Sequence, residues 1–127
     1  MMKIAIIEEG GELTAILQEE IAKKAQTATF EVKKALDLFD VLAYGRKMIA
    51  SDHLIIVAQL DTEETELNKV FYSGLAMLEE ETGKNIFKCI YTDADDGEEM
   101  VRELAETFLN YVLGVPKKQK EEEESFF

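Results

Sequence analysis

Close to its first residue the chain reads Ile4-Ala5-Ile6-Ile7-Glu8-Glu9-Gly10-Gly11, an unbroken apolar run that ends at two glutamates and two glycines. A second continuous apolar run lies at Leu54-Ile55-Ile56-Val57. Strands that are covered on both faces read as continuous apolar runs, whereas strands with one solvated face alternate. The two runs therefore predict two central strands of a parallel sheet.

Two further segments have the weaker pattern of edge strands. Apolar and polar residues alternate from Ala28 to Val32, and the run Ile86–Tyr91 is interrupted by Lys88. Between the strands, apolar residues recur at helical spacing in the segments Leu13–Ile21, Leu38–Ile49, Leu67–Leu78 and Val101–Val112. Strands that alternate with helices predict parallel strands joined by right-handed crossovers. We predict a three-layer α/β/α sandwich with a four-stranded parallel sheet of order 2-1-3-4, the flavodoxin-like arrangement.

Length and composition limit the class of protein. The 127 residues are 46% hydrophobic and 32% charged, which suits one globular domain. We assign residues 1–116 to that domain and residues 117–127 to a charged C-terminal tail. The tail reads as a solvated segment or an extra helical turn, or as a segment that docks Phe126 and Phe127 on a neighbouring subunit.

The charge balance is strongly acidic, with 14 basic and 27 acidic residues and a net charge of −13. Such a chain repels nucleic acids and anionic membrane surfaces, so neither is expected as a partner. The single cysteine, Cys89, permits no internal disulfide and is predicted to be a buried small hydrophobe. The sequence has no signal-peptide pattern and no run long enough to cross a membrane, which predicts a cytoplasmic protein.

The predicted topology places the ligand site. In open parallel sheets, ligands bind beyond the carboxyl ends of the strands, near the point where the strand order reverses. Here that point lies between strands one and three. The loops around it are acidic, which suits a cation better than a phosphate group. The candidate ligand-binding residues in these loops are Gly10, Gly11, Gln59, Asp61, Thr62, Thr92 and Asp93.

One stretch of the chain resembles a known family. The segments Gly74-Leu75-Ala76-Met77-Leu78, Glu81-Thr82-Gly83-Lys84-Asn85-Ile86-Phe87 and Tyr91-Thr92-Asp93 are similar to lumazine synthases, in which a helix ends in E-T-G-K-P and a strand leads to a T-T-D turn. Archaeal riboflavin synthases share this fold and have a similar helix. The resemblance covers most of the chain as an order of elements, but only this stretch residue by residue. It implies a riboflavin-pathway transferase that binds a pteridine-like or flavin-like molecule between subunits of a pentamer.

The sequence departs from the lumazine synthase pattern where that family keeps its chemistry. The family's proton-transfer histidine follows strand three, and the matching position here is Glu63. A desolvated carboxyl can take over proton transfer, so Glu63 is the candidate catalytic residue. The substrate loop reads Ala35-Leu36-Asp37-Leu38-Phe39-Asp40, without the family's proline and glycine. The only histidine, His53, begins strand three and so lies at the opposite end of the sheet. These departures argue against an intact lumazine synthase.

A second resemblance leads to a different chemistry. The segment Thr92-Asp93-Ala94-Asp95-Asp96-Gly97 resembles the D-x-D motif of Toprim domains, which hold Mg²⁺ with these aspartates and a glutamate after the first strand. Clustered carboxylates suit a hard cation, and the ligands implied here are Glu8, Glu9, Asp93 and Asp95. The same segment also reads as a helix cap, with Asp95 and Glu98 as a capping box. A non-catalytic oligomeric scaffold is the third alternative, because exposed sheet edges favour association.

Overall fold

The computed structural model describes residues 2–114 and contains four repeats of a strand followed by a helix. The elements are β1 (Lys3–Glu9), α1 (Thr14–Ala22), β2 (Thr29–Lys34), α2 (Leu38–Lys47), β3 (His53–Gln59), α3 (Thr65–Thr82), β4 (Ile86–Tyr91) and α4 (Gly97–Val112). The tail predicted at residues 117–127, with Phe126 and Phe127, lies outside the described residues.

The four strands form one parallel sheet in the order β2-β1-β3-β4, which confirms the predicted topology. The central strands β1 and β3 each contain five consecutive buried residues, as their continuous apolar runs predicted. The edge strand β2 has no fully buried residue. The other edge strand, β4, is better covered, and Lys88 is its only exposed residue.

Alternate residues of each strand build two separate halves of the core, because successive side chains point to opposite faces of a sheet. On one face, Ile6 and Val57 pack with α1 and α4 around the fully buried Phe108. On the other face, Ile7 and Ile56 pack with α2 and α3 around Phe71. Helices therefore cover both faces of the sheet, and the three-layer α/β/α sandwich is confirmed. Cys89 lies in the first half of the core and is buried, as predicted.

Helix ends follow local rules, with one correction to the prediction. Helix α3 ends at Gly83, whose φ of 66° is the left-handed conformation that favours glycine at this position. Helix α4 is capped by Asp96, which accepts a hydrogen bond from the Glu99 N–H at 3.2 Å. The predicted capping box of Asp95 and Glu98 is therefore wrong by one residue. The carboxylate of Asp95 is already taken by the preceding turn, where it accepts from the Thr92 N–H at 2.9 Å.

Candidate functional site

A pocket of about 360 Å³ opens at the carboxyl edge of the sheet, where β1, β3 and β4 end. We call it the acidic pocket, and its lining residues are Gly10, Gln59, Leu60, Asp61, Thr62, Glu63 and Asp93. It lies beside the point where the strand order reverses, at the place where the sequence analysis expects a ligand. Five of the seven predicted ligand-binding residues line it. Gly11 and Thr92 do not, although each is a direct neighbour of a lining residue.

The loop that follows β3 forms one wall of the acidic pocket and is tied to both neighbouring elements. The Leu60 N–H donates to the carbonyl oxygen of Tyr91 at 2.7 Å, which joins the loop to the end of β4. The side-chain amide of Asn68 on α3 donates to the Asp61 carbonyl oxygen at 2.8 Å. Within the loop, the Asp61 carboxylate accepts from the Glu63 N–H at 2.9 Å. These contacts preform the wall without a ligand.

Gly10 also lines the acidic pocket, and together with Gly11 it forms the glycine loop between β1 and α1. Gly10 has a φ of +83°, which a residue with a side chain rarely adopts. A Cβ atom there would also lie 3.1 Å from the Cβ of Gln59, so both backbone and space favour glycine. At this turn the backbone therefore approaches the end of β3 closely.

The electrostatic character of the acidic pocket comes from Asp61, Glu63 and Asp93, which are all exposed. No lysine or arginine of residues 2–114 is among the lining side chains. The pocket can accept hydrogen bonds from hydroxyl and N–H groups, and it repels anions. The predicted role of Glu63 in proton transfer depends on apolar surroundings. Within residues 2–114 the side chain is exposed and does not have them.

An ion pair between a buried carboxylate and a solvent-exposed ammonium lies beside Gly11, and the sequence analysis did not predict it. Glu8 is 0% exposed and accepts hydrogen bonds from the Leu13 N–H at 2.6 Å and the Thr14 hydroxyl at 2.7 Å. The ammonium of Lys34 donates to the same carboxylate and, at 3.0 Å, to the carbonyl oxygen of Gly11. Helix α1 has no capping side chain of its own. The carboxylate of Glu8, on β1, accepts the hydrogen bonds from its N-terminal end instead.

The ion pair left a signal in the sequence. Glu8 has the same parity along β1 as the inward-facing Ile4 and Ile6, so the strand period alone points its side chain into the core. Lys34 is directly opposite Glu8 in the register of β1 and β2. A charged residue at an inward position needs a partner, and the neighbouring strand supplies one of opposite charge.

The four residues of the predicted Mg²⁺ site are not assembled as one. Glu8 is committed to Lys34, and Asp95 holds the turn before α4. Glu9, the next residue of β1 after Glu8, points to the opposite face of the sheet. Burial, followed by the nearby charge of Asp37, raises the pKa of the Glu9 carboxyl. Among residues 2–114, no group of three or more histidine, cysteine, aspartate or glutamate side chains is arranged to hold a metal ion.

Tyr91 is a second residue that the sequence did not reveal as part of this region. It ends β4, is 7% exposed, and points to the same face as Glu8. Burial raises the pKa of its phenol, and the charge of Glu8 raises it further. The hydroxyl therefore stays protonated at neutral pH and is a hydrogen-bond donor.

The opposite edge of the sheet holds the only histidine, as predicted. His53 is half-buried, and its ring meets Phe108 edge to face with centroids 5.2 Å apart. Burial lowers the pKa of the imidazole, Asp52 opposes that shift, and Lys84 adds to it. Because His53 is the first residue of β3, its imidazole lies at the other end of the strand from the acidic pocket and takes no part in the chemistry there.

Comparison with known proteins adds no family to this picture. No protein-family model matches the chain, and no curated protein sequence matches it. Among the helices of residues 2–114, none has the length and apolar character needed to span a membrane. The function of the chain is accordingly argued from the chemistry of the acidic pocket.

Proposed function

We propose that this protein is a divergent relative of the lumazine and riboflavin synthases that binds a pteridine-like or flavin-like small molecule in the acidic pocket. The observation that carries the proposal is the position and lining of that pocket. It lies at the topological switch point, and its side chains offer mainly hydrogen-bond acceptors. Its volume of about 360 Å³ falls within the usual range for small-molecule sites.

The lining favours an uncharged ligand that is rich in hydrogen-bond donors. A ribityl-substituted pteridine or flavin carries several hydroxyl groups and a ring N–H, and the carboxylates of Asp61 and Asp93 can accept from them. A phosphate group in the same place would meet three carboxylates and no basic side chain. The proposed ligand is therefore the unphosphorylated heterocycle.

The proposal centres on binding rather than on a complete catalytic cycle. By resemblance, Glu63 stands where lumazine synthases have their proton-transfer histidine, and it lines the acidic pocket. Glu63 is exposed in the single chain, so its proposed role in catalysis requires that a neighbouring subunit cover it. If lumazine formation is detected, Glu63→Gln should abolish it, because the amide cannot take up the proton.

The proposal includes a homo-oligomer, a pentamer by resemblance, with the ligand at subunit interfaces. Two apolar side chains near the carboxyl edge support association. Leu36, in the loop before α2, is 91% exposed, and Phe39, in the first turn of α2, is 55% exposed. A mass measurement in solution tests this part, because a strict monomer would contradict binding between subunits.

The direct test of function is a fluorescence titration of the purified protein with 6,7-dimethyl-8-ribityllumazine and with riboflavin. We expect a dissociation constant near the micromolar level, about −8 kcal/mol. Asp93→Asn should weaken binding about fivefold, because it replaces a charged acceptor by a neutral one. Glu106→Gln, on the exposed surface of α4, is the matched control and should bind as wild type does. Absence of binding at any practical concentration would contradict the proposal.

A further inference from the structure

Strand β2 is an edge strand, and among residues 2–114 its only strand partner is β1. The N–H of Thr29 donates to the carbonyl oxygen of Met2 at 2.9 Å, and the N–H of Ala35 donates to that of Glu8 at 2.8 Å. Successive residues of a strand direct their backbone groups to opposite sides of the strand. The odd-numbered residues of β2 therefore face β1, and the even-numbered residues face outward.

The outward-facing residues are Phe30, Val32 and Lys34, whose N–H and C=O groups make up the free edge of the sheet. Such an edge is a template for another strand unless proline, a bulge or charged side chains block it. Strand β2 contains no proline, and its register with β1 is continuous from Thr29 to Lys34. The backbone of this edge is therefore regular and suited to pairing.

The exposed charges of β2 do not block the edge, because they alternate in sign. Glu31 and Lys33 share one face of the strand, and both are exposed. Phe30 and Val32 lie on the other face and are half-buried against the half of the core that contains α1 and α4. The exposed face of β2 therefore presents one negative and one positive charge on alternate residues.

Two copies of β2 can pair edge to edge around a two-fold axis perpendicular to the sheet, which makes them antiparallel and keeps each face on its own side. Only two such registers pair most of the six residues of the strand. With Glu31 on the axis, the two Glu31 carboxylates are directly opposite each other and repel. With Val32 on the axis, Glu31 of each copy is directly opposite Lys33 of the other.

The register with Val32 on the axis also satisfies the backbone. The outward-facing residues of one copy are then opposite those of the other, and in an antiparallel pair such residues exchange both of their N–H···O bonds. Glu31 and Lys33 occupy the non-hydrogen-bonded pairs, in which opposing side chains are closest. Opposite charges at such positions stabilise a pair of strands, whereas like charges destabilise it.

We propose that β2 is a self-association surface, at which a second copy of this chain pairs its own β2 antiparallel with Val32 on the two-fold axis. The two four-stranded sheets then form one continuous sheet. The inference goes beyond the proposed function, since no residue of β2 lines the acidic pocket. The contact is small and each copy carries a net charge of −13, so we expect a reversible dimer.

Exchange of the two charges tests the register, because Glu31 and Lys33 are exposed and can be altered without changing the core. Glu31→Lys and Lys33→Glu each place like charges opposite one another when the variant pairs with itself. Mixing the two variants restores opposite charges at both positions, and so does the double variant Glu31→Lys/Lys33→Glu. Glu106→Lys, on the exposed surface of α4, changes the net charge as Glu31→Lys does and is the matched control.

Sedimentation velocity with protein at up to about 100 μM covers dissociation constants in the micromolar range. We expect wild type, the double variant and Glu106→Lys to dimerise alike. Each single variant should dimerise at least about tenfold more weakly, and the mixture of the two should regain the affinity of wild type.

A wild type that stays monomeric in this experiment would overturn the inference. A dimer that neither single variant weakens, or that mixing does not restore, would overturn it as well, because the contact would then lie elsewhere. A ring with an odd number of subunits, such as a pentamer, would overturn this inference and leave the proposed function standing. Failure of the protein to bind riboflavin would contradict the proposed function alone.

Discussion

The carboxylate of Glu8 and the carboxylates of the acidic pocket lie at the carboxyl edge of the same sheet and differ in burial and in hydrogen bonding. Glu8, at the end of β1, is 0% exposed and accepts from a backbone N–H, a hydroxyl and an ammonium group. Asp61, Glu63 and Asp93, which follow β3 and β4, are exposed and line the acidic pocket. One group is satisfied by the fold itself, and the other has oxygens free for a ligand.

Residue type alone therefore does not assign a role to a carboxylate near a predicted site. Glu8 and Glu9 are adjacent and identical, yet strand parity sends them to opposite faces. A carboxylate that already has three donors has little capacity left for a ligand. Glu8 on the β1–β2 side of the edge therefore stabilises the fold, whereas the carboxylates that follow β3 and β4 are free for the proposed ligand.

The largest expected effect is on stability and comes from Glu8→Ala. The variant leaves the Thr14 hydroxyl and the Leu13 N–H without their acceptor, so we expect a loss of about 3 kcal/mol in the free energy of unfolding. Glu63→Ala is the matched variant on the exposed side and should change it by less than about 0.5 kcal/mol. Urea denaturation followed by circular dichroism measures both. Equal losses of unfolding free energy in the two variants would contradict the structural role of Glu8.

The next effect concerns the contact between the glycine loop and Tyr91. Gly11 does not have a positive φ, so alanine is allowed by the backbone, but its Cβ would collide with the phenol hydroxyl. We expect Gly11→Ala to cost about 2 kcal/mol of unfolding free energy. In a Tyr91→Phe background the nearest ring atom would be Cζ at 3.5 Å, an ordinary contact. A double-mutant cycle should therefore show a coupling above about 1 kcal/mol, and strictly additive losses would contradict the described seating.

A smaller effect is expected from Lys34, because its side chain is 57% exposed and solvent screens the pair. Lys34→Met removes the cation beside Glu8 and the donor to Gly11, and should cost about 1 kcal/mol. Lys33→Met, its exposed neighbour on β2, is the control and should be neutral. Urea denaturation at low and high salt measures the stability of both variants. If Lys33→Met lowers the free energy of unfolding as much as Lys34→Met does, the ion pair of Lys34 and Glu8 does not stabilise the fold.

The smallest expected effect on stability at neutral pH comes from the ionisation of Cys89. Burial, followed by the charges of Asp95 and Glu8, raises the pKa of its thiol to about 11. Because the folded pKa lies above the unfolded value, the stability linked to this group is complete below about pH 9 and is lost as the pH rises toward 11. At pH 8 we expect iodoacetamide to modify the native protein far more slowly than the urea-unfolded chain. Equal rates would show that the thiol is accessible.

The sequence predicted most of the fold, because the signals for it are local. The apolar runs at Ile4–Ile7 and Leu54–Val57 identified the central strands, and the mixed strands identified the edges. The bounds of β4 were predicted as Ile86–Tyr91 and are confirmed. The capping box failed by one residue because Asp95 could cap either a turn or a helix, and the pattern does not rank the two.

The site was predicted only in part, because its contacts are not local. Five residues of the acidic pocket followed from topology, which fixes where strands end. The hydrogen bonds of Glu8 depend on donors from α1 and β2, and the seating of the Tyr91 phenol depends on Gly11, which is distant in sequence. For the same reason, the spacing of acidic residues suggested a Mg²⁺ site that residues 2–114 do not assemble.

Binding of an uncharged heterocycle in the acidic pocket is tested most directly by comparing riboflavin with its 5′-phosphate, FMN, in fluorescence titrations at low ionic strength. The two ligands share the heterocycle and the ribityl chain and differ by one phosphate group. If the acidic pocket is the binding site, riboflavin should bind about tenfold more tightly than FMN, and added salt should reduce the difference. FMN binding as tightly as riboflavin, or more tightly, would contradict the account, and so would the failure of riboflavin to bind.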